Sequence, residues 1–243
     1  MLTHCAVGAI RTRASTSFSF NPIFTNSQSI IMVSLEISPF QTFELSQFPT
    51  ITTLSFQSGL GHLLTGPSTP ENIDSLTRKC VEAEKDPHVR FMKAMDPTGQ
   101  IVACAKWLLY PNGNTEEELD EMFKMPTTFP ETWNPIFQYL NDNRREAMGR
   151  RPYYFLSILA THPDHHRKGS GGRLVKWGTD LADEQGVECY LEASIEGRPL
   201  YERLGFRVVK ETPFKLEDFG RPDLGVDVNC IMIRAPSVKG KEN

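Results

Sequence analysis

The chain has no surplus of positive charge. Its 26 lysines and arginines face 30 acidic residues, for a formal net charge of −4. Gripping nucleic acid by its phosphates needs a basic face, so this balance argues against a nucleic-acid partner. Long apolar runs are missing as well. No stretch approaches the roughly 20 residues of a membrane-spanning helix, so no membrane partner is expected. Cysteine is scarce, and Cys5, Cys80, Cys104, Cys189 and Cys230 are odd in number and lack metal-ligand spacing. Cys104 and Cys189 lie inside apolar runs and read as reduced, buried thiols, which implies a reducing, cytoplasmic setting. Internal repeats and low-complexity tracts are absent too.

No acid occurs before Glu36, while Arg11, Arg13 and many Ser and Thr do. That is the composition of a mitochondrial transit peptide. Met32 opens Met-Val-Ser-Leu-Glu and reads equally well as a start, so a mitochondrial address holds only if residues 1–31 are translated. Residues 1–35 are therefore expected to be a disordered extension, 42–235 the folded domain with an insertion at 111–150, and 236–243 a flexible tail.

What is present begins with Leu156-Ser157-Ile158-Leu159-Ala160-Thr161-His162-Pro163, an apolar strand running into a polar turn. His165-His166-Arg167-Lys168-Gly169-Ser170-Gly171-Gly172-Arg173-Leu174 then enters an amphipathic helix. The first amides of a helix have no intrahelical acceptor, and the helix dipole adds partial positive charge there. Glycines let such a backbone approach an anion closely, so the turn reads as a phosphate cradle. Arg167, Lys168 and Arg173 add mobile positive charge. The dinucleotide fingerprint fails, because Gly169-x-Gly171 lacks a third glycine at position 174, and the phosphate-loop pattern G-x-x-x-x-G-K-[ST] is absent.

The turn resembles the pyrophosphate loop of the GCN5-related N-acetyltransferases (GNAT), Q/R-x-x-G-x-G/A, read here as His166-x-x-Gly169-x-Gly171. The departure is His166, where Gln or Arg is usual. A second block, Leu200-Tyr201-Glu202-Arg203-Leu204-Gly205-Phe206, follows the strand-like Glu188–Ser194 at the spacing of that family. The chain is thus similar to this superfamily, its fungal small-molecule members included, over about residues 90–234. The resemblance implies a mixed α/β (α+β) fold: a central twisted, mostly antiparallel sheet of six or seven strands, splayed at the cofactor strand and flanked by helices.

It also implies acetyl-CoA as cosubstrate and a small-molecule amine, or a peptide, as acceptor, by direct transfer in a ternary complex. Residues 166–172 (His166, Arg167, Lys168, Gly169, Ser170, Gly171, Gly172) would hold the pyrophosphate. Leu159, Ala160 and Thr161 would pair with the peptide-like pantetheine arm, with a backbone amide near Leu159 polarising the thioester. Tyr201 matches the family's general acid, and Ser194 a position that contacts the cofactor. A CoA-binding regulatory module without turnover is the alternative. For a base the sequence offers Glu192, His162 and Glu44. The cluster His162, His165 and His166 lacks a companion carboxylate or cysteine at ligand spacing, so no metal is expected.

The remaining elements follow from periodicity and turn signals. A short strand is expected at 43–45, a helix over 50–59, a loop over 59–70, and a helix from Thr69 to about Lys85. Strands at 90–95 and 101–110 flank Asp96-Pro97-Thr98-Gly99, a hairpin turn. The acids at 116–121 read as a solvated helix start in preference to an attractor for a cationic acceptor such as a polyamine, aminoglycoside or basic peptide, and 133–148 as a helix. Strand 153–161, helix 169–185, strand 188–193, helix 197–204 and strands 206–212 and 226–234 complete the order.

Overall fold

The computed structural model of the chain describes residues 35–127 and 129–237. The transit-peptide and Met32-start readings lie outside the described residues, as does most of the expected tail. Construction starts at the Asp96 turn. Its carboxylate Oδ1 accepts the Thr98 and Gln100 amides at 2.9 and 3.1 Å, and Gly99 takes φ +84°. That joins β2 (Val89–Met95) to β3 (Ile101–Tyr110) as an antiparallel hairpin. β1 (Glu36–Pro39) lies on the outer edge of β2, and β4 (Tyr153–Thr161) pairs antiparallel with β3. β5 (Glu188–Ala193) runs parallel to β4, so a crossover is needed, and helix α6 supplies it (Ser170–Gln185; the five preceding helices are introduced below). β6 (Arg207–Lys215) and β7 (Val226–Arg234) close a seven-stranded sheet of order β1-β2-β3-β4-β5-β7-β6. All other neighbouring pairs are antiparallel.

Helices cover both faces. On one, α6 lays Leu174, Val175, Gly178 and Ala182 against β3 and β4. Trp107, fully buried, fills the space under the helix and donates its indole N–H to the Leu174 carbonyl at 3.3 Å. A Cβ on Gly178 would stand 2.3 Å from the Trp107 ring, so only glycine lets helix and strand approach this closely. The short α7 (Arg198–Arg203) packs Tyr201 into the same core. On the other face lie α1 (Gln47–Ser55), α2 (Gly59–Thr65), α3 (Pro70–Ala83), α4 (Glu116–Met122) and α5 (Asn134–Ala147). Their core is aromatic: Phe48 and Phe91 meet edge to face at 4.9 Å, and Phe155 and Tyr190 at 5.6 Å.

The sheet opens in one place. β4 and β5 pair only from Tyr153↔Glu188 to Leu156↔Leu191, while β4 continues to Thr161. At the parting point the β3 register jumps from Lys106↔Ile158 to Trp107↔Leu156, leaving Ser157 as a bulge residue. A bulge bends its strand, and here it turns β4 away from β5. The splayed, mostly antiparallel sheet expected above is thereby present with seven strands.

Several local expectations differ. The 43–45 segment is a 3-10 turn (Thr42–Glu44) because the Glu44 carboxylate accepts the Gln41 amide at 2.8 Å and holds buried Lys93 at 2.5 Å. The Lys93 ammonium keeps the Glu44 carboxyl below its ordinary pKa. The expected loop after Gly59 contains α2, since the Asp227 carboxylate accepts the Leu60 amide at 2.6 Å and Leu60 and Leu63 bury against Phe214 and Leu216. α1 starts and ends earlier than its apolar pattern suggested, and the four-residue β1 carried no pattern at all. In the insertion, Thr115 and Glu118 form a capping box, and Arg145 pairs with Glu116 and Asp120. Among the described residues no helix is long and apolar enough to cross a membrane.

Gly178→Ala should destabilise the fold by about 1–3 kcal/mol, the usual cost of overpacking, despite alanine's better helix propensity. A thermal melt would register this as a fall of at least a few degrees, and an unchanged Tm would show that α6 does not depend on this close approach.

Candidate active site

Where β4 leaves β5 the molecule holds a cleft of about 1500 Å³. It is reached from the α6 face by the 166–172 turn and from the other face by α1, α3 and α5. Of the site residues singled out above, Leu159, Ala160, Thr161, His166, Arg167, Gly169, Ser170, Gly171, Gly172, Ser194 and Tyr201 line it. Lys168 does not: its Nζ donates to the Asp164 carbonyl at 3.0 Å outside the cleft.

The turn is built for an anion. Arg167 takes φ +62°, the one non-glycine residue with positive φ among the described residues, and Gly169 follows at φ +88°. Gly169 is the N-cap of α6, and no side chain caps the helix, so its first amides are free toward the cleft mouth. Ser170 Oγ is buried and unpartnered there. A buried hydroxyl without a partner costs free energy, which a ligand oxygen would recover. His166 pins the turn to the sheet through Nε2 and the Thr161 carbonyl at 2.8 Å.

The strand edge is equally exposed. The His162 amide donates to the Val102 carbonyl at 2.9 Å, so by strand alternation the Ala160 amide also faces β3. The Leu159 and Thr161 amides then point into the opening, where β5 has withdrawn. An edge of this kind accepts an extended, amide-bearing ligand as an added strand. The uncapped α6 amides, the orphaned Ser170 hydroxyl and this edge fit the two ends of a CoA molecule, its diphosphate and its pantetheine arm.

Tyr201 is buried, and among the described residues no hydrogen bond engages its hydroxyl. Burial raises its pKa well above the ordinary phenol value, so it stays protonated and able to donate. Ser194 is exposed, and its Oγ accepts the Gly197 amide at 3.3 Å at the entry to α7. Burial pushes the Cys189 thiol up to about 12, which removes it as a nucleophile.

The three candidate bases separate clearly. Glu44 is occupied by Lys93, and His162 Nδ1 accepts the Asp164 amide at 3.3 Å; neither lines the cleft. Glu192 does. Alternation puts it on the same sheet face as Tyr190, whose hydroxyl donates to Glu192 Oε1 at 3.1 Å. Desolvation raises the Glu192 pKa, opposed in part by the Arg144 charge and the Tyr190 hydrogen bond. A mid-strand carboxylate usually faces water, so nothing in its local pattern set it above the other two. Arg144, on α5, and Lys106, on β3, also line the cleft and are not among the residues that the motifs mark. Lys106 had a signal: it is the lone charge in the run Ile101–Leu109. Arg144 had none, because its neighbour Arg145 looks the same and points to surface acids.

Residues 138–208, which carry the bulge, the turn, α6 and α7, match the family model described as Acetyltransferase (GNAT) domain. Over that segment the chain is similar to GNAT acetyltransferase domains. Solved structures resemble the whole fold. Arylalkylamine N-acetyltransferase 2 from Aedes aegypti aligns at 16% identity and TM-score 0.62, covering 84% of this chain and 99% of that one. The polyamine N-acetyltransferase of Drosophila melanogaster aligns at 16% identity and TM-score 0.58, with 83% and 100% covered. The histone acetyltransferase HPA2-related protein from Corynebacterium glutamicum aligns at 18% identity and TM-score 0.55, with 85% and 99% covered. At these identities the likeness is one of fold, and it takes in the strands and helices on either side of the matched segment.

The raised Glu192 pKa has a stability consequence. A carboxyl whose folded pKa exceeds its unfolded value stabilises the fold fully at low pH and loses that contribution as pH rises through the folded pKa. Glu192→Gln, which removes the buried charge, should therefore raise Tm at neutral pH and match the parent below the ordinary carboxylate range. Parallel melts across pH would check it; equal Tm values at every pH would mean that Glu192 is not desolvated.

Proposed function

We propose that this GNAT domain transfers the acetyl group of acetyl-CoA directly to the primary amine of a small-molecule acceptor within a ternary complex. The observation that carries the reading is the opening between β4 and β5, with uncapped helix amides on one face and a desolvated carboxylate on the other. The primary-amine acceptor is supported by the arylalkylamine and polyamine enzymes among the similar structures. Four described cysteines, Cys80, Cys104, Cys189 and Cys230, are free thiols, in keeping with work in the cytoplasm.

In this reading the α6 amides and the Ser170 hydroxyl hold the diphosphate, and Arg167 and His166 flank it. The Leu159 and Thr161 amides pair with the pantetheine arm, and Ser194 and Ala160 border its path. A donor amide at this edge, with Leu159 nearest the bulge, stabilises negative charge on the thioester oxygen. Glu192 takes the proton of the incoming ammonium, directly or through water, and its raised pKa suits a base near neutrality. Nitrogen attacks the thioester carbon, the carbon–sulfur bond breaks, and Tyr201 gives its proton to the leaving thiolate. The products are the N-acetyl amine and free CoA thiol. The folded domain takes in β1 at Glu36–Pro39, ahead of the expected start at residue 42, and runs through β7, with α5 of the 111–150 insertion as one wall of the acceptor side.

A melt of the full chain with acetyl-CoA, CoA, NAD or buffer tests the donor site, because a ligand that binds only the folded state raises Tm. CoA species should shift it and NAD should not; no shift with CoA removes the reading. Tyr201→Phe should slow thiol release about 100-fold or more while the CoA-induced shift persists, as expected for loss of a general acid. Unaltered turnover would take Tyr201 out of the mechanism.

A further inference from the structure

The acceptor side of the cleft is positively charged without visible cause. Lys106 projects from β3 onto the face of α1, α3 and α5, with its Nζ 5.6 Å from the Phe91 ring centroid. Among the described residues it has neither an ion-pair nor a hydrogen-bond partner. Arg144 reaches the same space from α5, its guanidinium stacked 4.7 Å from the Phe155 ring and 4.8 Å from that of Phe123. It too has no ion pair among the described residues, although its neighbour Arg145 has two. Desolvation lowers the Lys106 pKa, Cys80 and Asp86 oppose it in part, and the nearby Arg144 charge adds a smaller push in the same direction as desolvation.

The acids nearby do not balance them. Asp227 is turned to the Leu60 and Val228 amides, at 2.6 and 2.7 Å. Glu192 feels Arg144 but is not in ion-pair contact with it among the described residues, and its carboxyl remains raised. Asp86 acts on Lys106 through its field without an ion-pair contact, so neither cation has a direct anionic partner among the described residues. A half-buried, desolvated cation without a direct partner is costly, and a chain that keeps one beside a cleft has a reason in the ligand.

We propose that the acceptor is an amine that also carries a carboxylate or similar oxyanion, an amino-acid-like molecule, held by Lys106 and Arg144 while its amine faces Glu192. The inference rests on the acetyl-transfer reading and narrows its substrate class. Arg144 supplies a planar fork for an oxyanion, and Lys106 a point charge on the same group. The rings of Phe91, Phe137 and Phe155 line the remaining wall and suit an apolar body between the two ends. The acids of α4 take no part: Glu116, Glu118 and Asp120 are spent on the Thr115 cap and on Arg145.

Acceptor pairs that differ only in the anion test this: 4-aminobutyrate against putrescine, and phenylalanine against phenethylamine, with 2-aminoethylphosphonate as the phosphorus oxyanion. Each would be measured twice on the full chain, as a thermal shift in saturating CoA and as thiol release with acetyl-CoA. The anionic member should bind more tightly and show the higher kcat/KM. Lys106→Met and Arg144→Met should each reduce that preference about tenfold to a hundredfold, mainly through KM, as expected for loss of a charge-assisted hydrogen bond. The shift caused by CoA alone should persist in both variants, which shows that they fold. Equal or better binding of putrescine and phenethylamine, or a preference that survives both substitutions, overturns the inference. Preferential anion binding without any thiol release would sink the catalytic reading and leave this one standing; release without preference would do the reverse.

Discussion

A strand in mid-sheet must find partners for the hydrogen-bonding groups on both its edges, and β4 does so on only one beyond Leu156. The rest of the molecule is arranged around that unsatisfied edge. The Ser157 bulge creates it, and α6 occupies the crossover that a parallel β4–β5 pair demands. The same crossover delivers the free amides of α6 to the end of the open edge. The glycine at 178 lets the helix sit close enough over Trp107 for that delivery. A closed sheet of the same strands would bury more and bind nothing.

The division of labour between the two faces follows from strand alternation. Leu159 and Thr161 belong to the α6 face, while Lys106, Ile158 and Glu192 turn to the aromatic face. One face is a nearly charge-free core that fixes a helix terminus. The other carries ionisable groups that the fold desolvates without neutralising. Such groups weaken the folded state, and their clustering at one opening is the usual mark of a working site rather than a structural one.

Legibility in the sequence tracked how local the cause was. The turn at 166–172, the Asp96 hairpin and the Thr69 and Gly186 boundaries of α3 and α6 are set by residues a few positions apart, and each was readable. α2 was not, because what makes it a helix is Asp227, 167 residues from Leu60. The Glu44 segment reads as a strand until Lys93 is brought beside it. The bulge at Ser157 left no trace, since a register shift is a property of two strands. Within the site, the backbone-binding parts came from a motif and were visible. The charged wall of the cleft came from β3, β5 and α5, which only the fold assembles.

The Thr161 carbonyl joins these two halves. It accepts His166 Nε2 from the turn and Ser55 Oγ from the end of α1, both at 2.8 Å. One oxygen thus links the end of α1 on one wall of the cleft to the 166–172 turn on the other. A ligand that draws the turn inward must carry α1 with it or give up one of these bonds. Because linkage is reciprocal, whatever either ligand does to the affinity of the other is returned in equal measure. Ser55 therefore ties the position of α1 to that of the 166–172 turn through a single backbone atom.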